Sequence, residues 1–223
     1  FLQQGMVSVI AKWLYRVSFR FAEKVFFHNP DDYQLFIEQR LLKQSKADIV
    51  PGSGIDTKRF QPAFHMVTQS DTFTFLVISR LIYDKGIVEY IEAARHLRAQ
   101  GLPVRFQLLG AKDPIHKRGI PMHLIDQWIK SGVVEYLGTT DDVRSAIHHA
   151  DCVVLPSYRE GLPRTLLEAA SLQKPIVATD TPGCRHVVED GVNGLLCQAR
   201  DAGDLAEKML KITQLTKEEV HVM

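Results

Sequence analysis

Apolar residues near the start of the chain recur at the spacing of a helix. The side chains that share this face are Val9, Ile10, Trp13, Leu14, Val17 and Phe21. Residues 24–27 then predict a strand, and residues 31–44 predict a second helix. The turn-rich sequence Pro51-Gly52-Ser53-Gly54 predicts a hinge, and the polar residues 61–71 predict a linker.

From residue 72 onward, apolar runs alternate with helical periods. The runs predict strands at residues 73–78, 104–109, 133–137, 151–156, 175–178 and 194–197. The helical segments between them are residues 85–100, 124–130 and 141–149, one that begins at Pro163, a short one near His186 and one from Asp201. Asp84 is placed to cap the first of these helices, and Gly101 is placed to end it. This alternation predicts an α/β fold, a doubly wound Rossmann-like parallel sheet with helices on both faces.

The first strand of this sheet leads into a loop that carries two cations. The loop has no GxGxxG signature, and the chain has no Walker-type GxxxxGK sequence. Arg80 and Lys85 stand instead where a doubly wound sheet binds phosphate, close to the start of a helix, and together they predict a diphosphate site. The alternative is two solvated charges that pair with Asp84 or Glu89.

Two glutamates flank the helix that begins at Pro163. Glu160 lies in the loop before it, and Glu168 lies about two turns into it, within an apolar run where an unpaired carboxylate would be costly. Both side chains can face one cleft at the carboxyl ends of the strands, where a ligand rich in hydroxyls would be a suitable partner. The alternative is a solvated Glu160 and a Glu168 that a backbone donor or a basic neighbour satisfies locally.

Composition narrows the class of protein. Of 223 residues, 45% are hydrophobic and 24% are charged, which is ordinary for a globular protein. Lysine and arginine (27) nearly balance aspartate and glutamate (26), so no overall field indicates a nucleic-acid partner. The three cysteines form no CxxC pair, which favours a reducing, cytoplasmic setting, and the histidines lack the spacing of a metal site. No apolar run is long enough to span a bilayer, and no signal peptide is recognised.

The sequences of three loops together indicate a known family. The sequences SRLIYDKG, LGTTDD and EGLPRTLLE, in this strand order, together resemble the C-terminal, donor-binding domain of retaining GT-B glycosyltransferases of family four, group 1. PGSGID at residues 51–56 and the later PGCRHVVEDGVNGLL extend the resemblance over about residues 53–210. The pair of glutamates indicates this family specifically when it occurs with the Arg/Lys loop in this strand order, and alone it would be a weak signal.

The resemblance implies roles for the cations and for the start of the helix. Arg80 and Lys85 would hold the diphosphate of a nucleotide sugar and neutralise the leaving nucleoside diphosphate, without a metal ion or other cofactor. The backbone N–H groups of Arg164 and Thr165 would face the β-phosphate. With Arg80 and Lys85, Glu160 completes the implied catalytic set.

The resemblance also implies how the sugar, ribose and base are bound. Gly161 and Leu162 would lie beside the transferred sugar together with the preceding glutamate. Glu168 would accept hydrogen bonds from the ribose hydroxyls. Thr140 and Asp142 fall where the family contacts the base, largely through backbone groups.

The chain departs from the family pattern in two respects. Pro163 replaces the second glycine of an EGFG-like sequence and removes one backbone donor, while Arg164 replaces an apolar residue and could reach a phosphate or the acceptor. The family's acceptor-binding domain would be represented only by residues 1–52, followed by a linker at residues 53–72 and a nucleotide-sugar-binding domain at residues 73–223. The family's returning C-terminal helix is also not recognised, so we expect donor recognition but no complete active site.

The expected function is that of a hexosyltransferase. It would transfer a hexose or N-acetylhexosamine from a nucleotide sugar, UDP-linked in preference to ADP- or GDP-linked, to a glycan or lipid-linked acceptor with retention, in surface polysaccharide or glycoconjugate synthesis. The aromatic and basic start of the chain has two interpretations, the core of a domain or a peripheral contact with the inner face of the membrane. The alternatives in function are a nucleotide-sugar epimerase or hydrolase of the same fold, and an inactive nucleotide-binding fragment.

Overall fold

A computed structural model describes residues 5–62 and 72–215 of the chain. Most of the predicted linker, residues 63–71, lies outside the described residues. The chain divides into two compact units, Phe1–Gly54 and Ile55–Met223. No helix in the described residues is both long and apolar enough to cross a membrane.

The smaller unit contains two helices and a pair of parallel strands. Its elements, in order, are α1 (Met6–Phe21), β1 (Val25–Phe27), α2 (Pro30–Glu38), a short 3-10 turn (Gln44–Lys46) and β2 (Ala47–Ile49). Phe27 packs against the aromatic rings of Tyr33 and Phe36 between the strands and α2. The apolar residues of α1 that remain exposed are Met6, Val7, Val9, Ile10, Trp13, Leu14, Tyr15 and Phe21.

The prediction of a helix over residues 31–44 is wrong at its end, and β2 was not predicted. Helix α2 begins at Pro30, after Asn29 has capped it by accepting the N–H of Asp32 at 2.7 Å, and it ends at Glu38. Arg40 has a φ of 51°, which a helix cannot continue through. The guanidinium of Arg16 donates to the main-chain oxygens of Gln39 and Arg40 and so satisfies carbonyls beyond the helix end.

The larger unit is built on a parallel six-stranded sheet. Its strands are β3 (Phe73–Ile78), β4 (Val104–Leu109), β5 (Glu135–Tyr136), β6 (Cys152–Leu155), β7 (Ile176–Thr179) and β8 (Gly194–Cys197). They lie in the order β5-β4-β3-β6-β7-β8, and all the pairings are parallel. The helices are α3 (Ile87–Ala99), α4 (Met122–Lys130), α5 (Arg144–His149), α6 (Arg164–Ser171), α7 (Pro182–Arg185) and α8 (Ala202–Thr213). The predicted doubly wound α/β fold is confirmed.

Helices cover both faces of this sheet because alternate strand residues are apolar on each side. On one face Phe75 and Phe106 stack at 5.6 Å within a cluster that includes Tyr90 of α3 and Met209 of α8. On the other face Leu76 packs in a second cluster with side chains from α5, α6 and α7. This second cluster also buries Phe60, which was predicted to lie in the linker and whose carbonyl accepts a hydrogen bond from the Ser171 hydroxyl at 2.6 Å.

The order of the strands creates a crevice in the middle of the sheet. From β3 the chain proceeds outward through β4 and β5, and from β6 it proceeds outward the other way through β7 and β8. The loops that leave β3 and β6 therefore diverge at their carboxyl ends, the position at which open α/β sheets bind ligands.

The start of α3 and the length of β5 differ from the predictions. Asp84 does not cap α3, because residues Tyr83–Lys85 form a 3-10 turn and Gly86, with a φ of 66°, leads into a helix that begins at Ile87. Strand β5 is limited to two residues rather than five, since only Glu135 and Tyr136 pair with β4.

Candidate functional site

A cleft of about 310 Å³ lies at the carboxyl ends of β3 and β6. The residues that line it come from the end of β3 and its loop, from the end of β6, and from the loop and first turn that lead into α6. They are Ile78, Ser79, Arg80, Lys85, Leu155, Glu160, Leu162, Pro163, Arg164 and Thr165. Six of the ten site residues predicted from the sequence line this cleft (Arg80, Lys85, Glu160, Leu162, Arg164 and Thr165), and Gly161 lies between two of them.

Lys85 and Glu160 form the central contact of the cleft. The Lys85 Nζ lies 2.5 Å from the Glu160 Oε1, and the two side chains are 23% and 13% exposed. The pair bridges the loop after β3 and the loop after β6. Because both groups are largely withdrawn from water, their attraction is screened less than that of a surface ion pair.

Close backbone packing brings these two loops together. A Cβ atom on Gly86 would lie 2.0 Å from the carbonyl oxygen of Pro156, so only glycine fits there. The N–H of Tyr158 donates to the carbonyl of Asp84 at 2.9 Å. On the far side, the N–H of Gly183 donates to the carbonyl of Glu160 at 3.1 Å.

Arg80 is the more accessible cation of the cleft. Its side chain is 57% exposed, and its Nη1 lies 3.8 Å from the Asp113 carboxylate. Asp84 and Glu89, the alternative partners predicted for Arg80 and Lys85, are paired with other residues. Asp84 pairs with Arg118 at 2.7 Å, and Glu89 accepts the hydroxyl of Tyr158 at 2.6 Å.

Helix α6 presents backbone donors to the cleft. Pro163 precedes it in an extended conformation with no side-chain cap, so the N–H groups of Arg164 and Thr165 at its first turn have no intrahelical acceptor. These donors, together with the helix dipole, favour an anion at this end of the cleft.

Glu168 lies on α6 with only 8% of its surface exposed. Burial raises the pKa of its carboxyl, and the nearby Arg164 guanidinium acts in the opposite direction. The Arg164 Nε lies 3.4 Å from the Glu168 Oε1. Arg164 is therefore the basic neighbour that the alternative interpretation of Glu168 requires. Arg164 also lines the cleft and connects it to Glu168.

Thr140 and Asp142 form a compact turn before α5. The Thr140 hydroxyl donates to the main-chain oxygen of Asp142 and accepts its N–H, both at 3.1 Å. The Arg144 side chain holds the Asp142 carboxylate in a fork, and these hydrogen bonds hold the pKa of that carboxyl well below its usual range. Arg59 lies 3.9 Å from the same carboxylate. Neither Thr140 nor Asp142 lines the cleft itself.

Several residues at the site were not identified from the sequence. The loop at residues 112–118 supplies Asp113 to Arg80 and Arg118 to Asp84, and Lys112 lies 3.5 Å from Asp126. The roles of Tyr158 and Glu89 gave no sequence signal, because their contact joins positions 69 residues apart. In the part of the chain that the structure describes, no three metal-ligating side chains cluster.

A family model described as glycosyl transferases group 1 matches residues 72–214. The chain is 30% identical over 223 residues to the N,N'-diacetylbacillosaminyl-diphospho-undecaprenol alpha-1,3-N-acetylgalactosaminyltransferase of Campylobacter jejuni, with 94% of this chain and 57% of the relative covered. It is 22% identical to the UDP-Gal:alpha-D-GlcNAc-diphosphoundecaprenol alpha-1,3-galactosyltransferase of Escherichia coli, with 93% and 55% covered. The chain thus spans about half the length of these curated relatives.

Solved structures show the same fold. HepE of Anabaena in complex with UDP superposes with a TM-score of 0.81 at 23% identity, over 95% of this chain and 61% of that one. Sucrose-phosphate synthase of Thermosynechococcus elongatus superposes with a TM-score of 0.80 at 20% identity, over 96% and 54%. At these sequence identities the similarity shows the fold alone.

Proposed function

The chain belongs to the family of group 1 glycosyl transferases, and from this premise we propose that it is part of a hexosyltransferase whose larger unit binds the nucleotide-sugar donor. The reaction would move a hexose or N-acetylhexosamine from a UDP-linked sugar to a glycan or lipid-linked acceptor, with retention and without a metal ion. The observation that carries the proposal is the cleft at the β3 and β6 ends, where Arg80, Lys85, Glu160 and the start of α6 meet.

The cations of the cleft suit a diphosphate leaving group. Negative charge builds up on the nucleoside diphosphate as its bond to the sugar breaks, and a cation already in place stabilises that charge without reorganisation. Lys85 and Arg80 would serve this role from the β3 side, and the α6 N–H groups would serve it from the β6 side. In this proposal these groups do the work that a divalent ion would otherwise do.

The Lys85–Glu160 pair places the leaving group and the sugar side by side. A diphosphate would share the Lys85 ammonium with Glu160, whose carboxylate would then accept hydrogen bonds from sugar hydroxyls next to Gly161 and Leu162. The same side chains would thereby orient the sugar and stabilise the departing phosphate.

Ribose and base would extend from the cleft along α6 toward the Thr140–Asp142 turn. Glu168 would exchange its contact with Arg164 for the ribose hydroxyls and release the guanidinium toward phosphate or acceptor. The Thr140 hydroxyl is bound to the backbone N–H and C=O of Asp142, and Arg144 holds the Asp142 carboxylate. The backbone groups of Thr140 would therefore be the ones offered to a base.

The relatives support the donor and acceptor classes. Both are named as alpha-1,3 transferases acting on diphospho-undecaprenol-linked acceptors, and one takes UDP-Gal. We extend this to a UDP-linked donor, an alpha-linked product and a lipid-linked acceptor that an additional N-terminal domain would bind. Such an acceptor would bring the protein to the cytoplasmic face of a membrane.

Two other functions use the same fold. A nucleotide-sugar epimerase or hydrolase would share the phosphate site, but the named relatives are transferases. An inactive nucleotide-binding fragment would bind the nucleotide and transfer nothing, which a product assay on the full-length protein detects.

Calorimetric titration of the 223-residue chain with UDP tests the donor site. We expect one site, because every proposed phosphate-binding group lies in the larger unit. We expect it to prefer UDP over ADP and GDP, as the relative that takes UDP-Gal suggests. A matched control is Lys130→Ala, an exposed lysine at the C-terminal end of α4, which should bind as the parent does. No heat of binding at millimolar UDP, UDP-sugar, ADP and GDP would remove the basis of the proposal.

A further inference from the structure

Tyr158 connects the two stretches of chain that carry the Lys85–Glu160 pair. Its N–H donates to the carbonyl of Asp84, the residue before Lys85, at 2.9 Å. Its hydroxyl donates to the Glu89 Oε1, in the first turn of α3, at 2.6 Å. Glu160 follows Tyr158 by only two positions. One residue therefore fixes the loop after β6 to the loop after β3 through its backbone, and to the first turn of α3 through its side chain.

The Tyr158 hydroxyl is the donor in its contact with Glu89. Burial and the neighbouring carboxylate raise the pKa of Tyr158, so the hydroxyl stays protonated and acts as a donor at neutral pH. The other Glu89 oxygen, Oε2, is buried and has no hydrogen-bond partner among the described residues. Loss of the tyrosine hydroxyl would leave a buried carboxylate with fewer hydrogen bonds, which is costly.

Arg200 lies over the ring of Tyr158. Its guanidinium carbon lies 4.5 Å from the centre of the Tyr158 ring. A cation over an aromatic face is attracted to it and limits the movement of the ring. The ring is thus restrained by Arg200 and its hydroxyl by Glu89, and these two restraints are chemically separable.

We propose that Tyr158 is a positioning residue for transfer: its hydroxyl bond to Glu89 sets the separation of Lys85 and Glu160. This inference rests on the proposed function, since it assigns the pair to leaving group and sugar. Tyr158 does not line the cleft and touches neither phosphate nor sugar in this scheme. Its effect reaches the reaction only through the two charged side chains, and small displacements of such groups have large effects on rate.

The test is Tyr158→Phe in the full-length transferase, which removes the hydroxyl but keeps the ring and the backbone bond. We expect kcat to fall about tenfold, with the KM for the donor changed by less than about threefold, because one charge-assisted hydrogen bond is lost outside the binding surface. Glu89→Gln keeps an acceptor for the hydroxyl and should retain most of kcat, while Glu89→Ala should reproduce the loss. The double variant Tyr158→Phe/Glu89→Ala should be no slower than either single variant.

Tyr136→Phe is the matched control, because it also removes a hydroxyl bond, to the carbonyl of Gly110 at 2.9 Å. We expect its kcat to stay within about twofold of the parent. Three results would each overturn the inference. They are an equal loss of kcat in this control, additive effects of Tyr158→Phe and Glu89→Ala, and an unchanged kcat in Tyr158→Phe.

A second readout does not need activity. In the chain with ¹³C-methylated lysines, the Lys85 signal is identified by its loss in Lys85→Ala. We expect Tyr158→Phe to move this signal toward those of exposed lysines, and Tyr136→Phe to leave it in place. A Lys85 signal that Tyr158→Phe leaves unchanged would contradict the positioning role, whether or not the parent transfers sugar. A parent that transfers no sugar would count against the proposed function alone.

Discussion

Replacing Lys85 by alanine should lower the turnover of the full-length enzyme roughly 10²- to 10³-fold, the usual cost of removing one group that stabilises a developing anion. The negative charge on the leaving diphosphate builds up chiefly in the transition state, so the loss should appear mainly in kcat. Binding of the sugar moiety should change much less, because a ground-state sugar carries no charge for Lys85 to stabilise.

Measurement of kcat and KM over a range of donor concentrations separates these effects. Lys130→Ala, on α4, removes an exposed lysine and should behave as the parent. Glu160 loses its 2.5 Å partner in Lys85→Ala, so Lys85→Arg serves as a second variant that restores a cation and part of the rate. A raised KM with an unchanged kcat would mean that Lys85 only binds the donor.

Glu168→Gln should weaken nucleotide binding by roughly 1–3 kcal/mol, the cost of losing a charged hydrogen-bond partner. The same change should stabilise the ligand-free protein at neutral pH. Burial raises the pKa of Glu168 above its ordinary value of 4.5, so the folded state holds a proton more tightly than the unfolded state. The ionised carboxylate is then a cost to stability that begins above the ordinary value and is complete above the raised pKa.

Calorimetry with UDP and thermal unfolding at several pH values check both parts. The stability difference between Glu168→Gln and the parent should shrink as the pH falls toward 4.5. Glu207→Gln, an exposed glutamate on α8, is the control that should change neither property. Parent-like affinity in Glu168→Gln would show that Glu168 does not bind ribose, and a large loss of stability would make the Arg164–Glu168 pair a structural contact.

The larger unit could be predicted from the sequence because its periodicity is strong. The predicted strands at residues 73–78, 104–109 and 194–197 coincide with β3, β4 and β8. Strands β3 and β8 are largely buried and read as nearly continuous apolar runs, whereas in β4 Arg105 and Gln107 alternate with apolar residues. The short strand β2 was not predicted, because three residues with an aspartate in the middle carry no such pattern.

The gathering of Arg80, Lys85 and Glu160 followed from topology, since the loops after β3 and β6 must lie at the same edge of a parallel sheet. Their roles stay predictions. The choice of partners could not be predicted. Lys85 pairs with Glu160, 75 residues away, instead of the adjacent Asp84, because Gly86 lets the two loops approach to backbone contact. Such pairings depend on distances of a few tenths of an ångström, which residue spacing does not contain.

The central claim is that cations of the chain replace a metal ion in transfer with retention. The most direct measurement is the turnover of the full-length protein after exhaustive EDTA treatment, together with the anomeric configuration of the product by NMR. The account predicts unchanged turnover and a product with the configuration of the donor. Activity that is lost in EDTA and restored by Mn²⁺, or an inverted product, would contradict it.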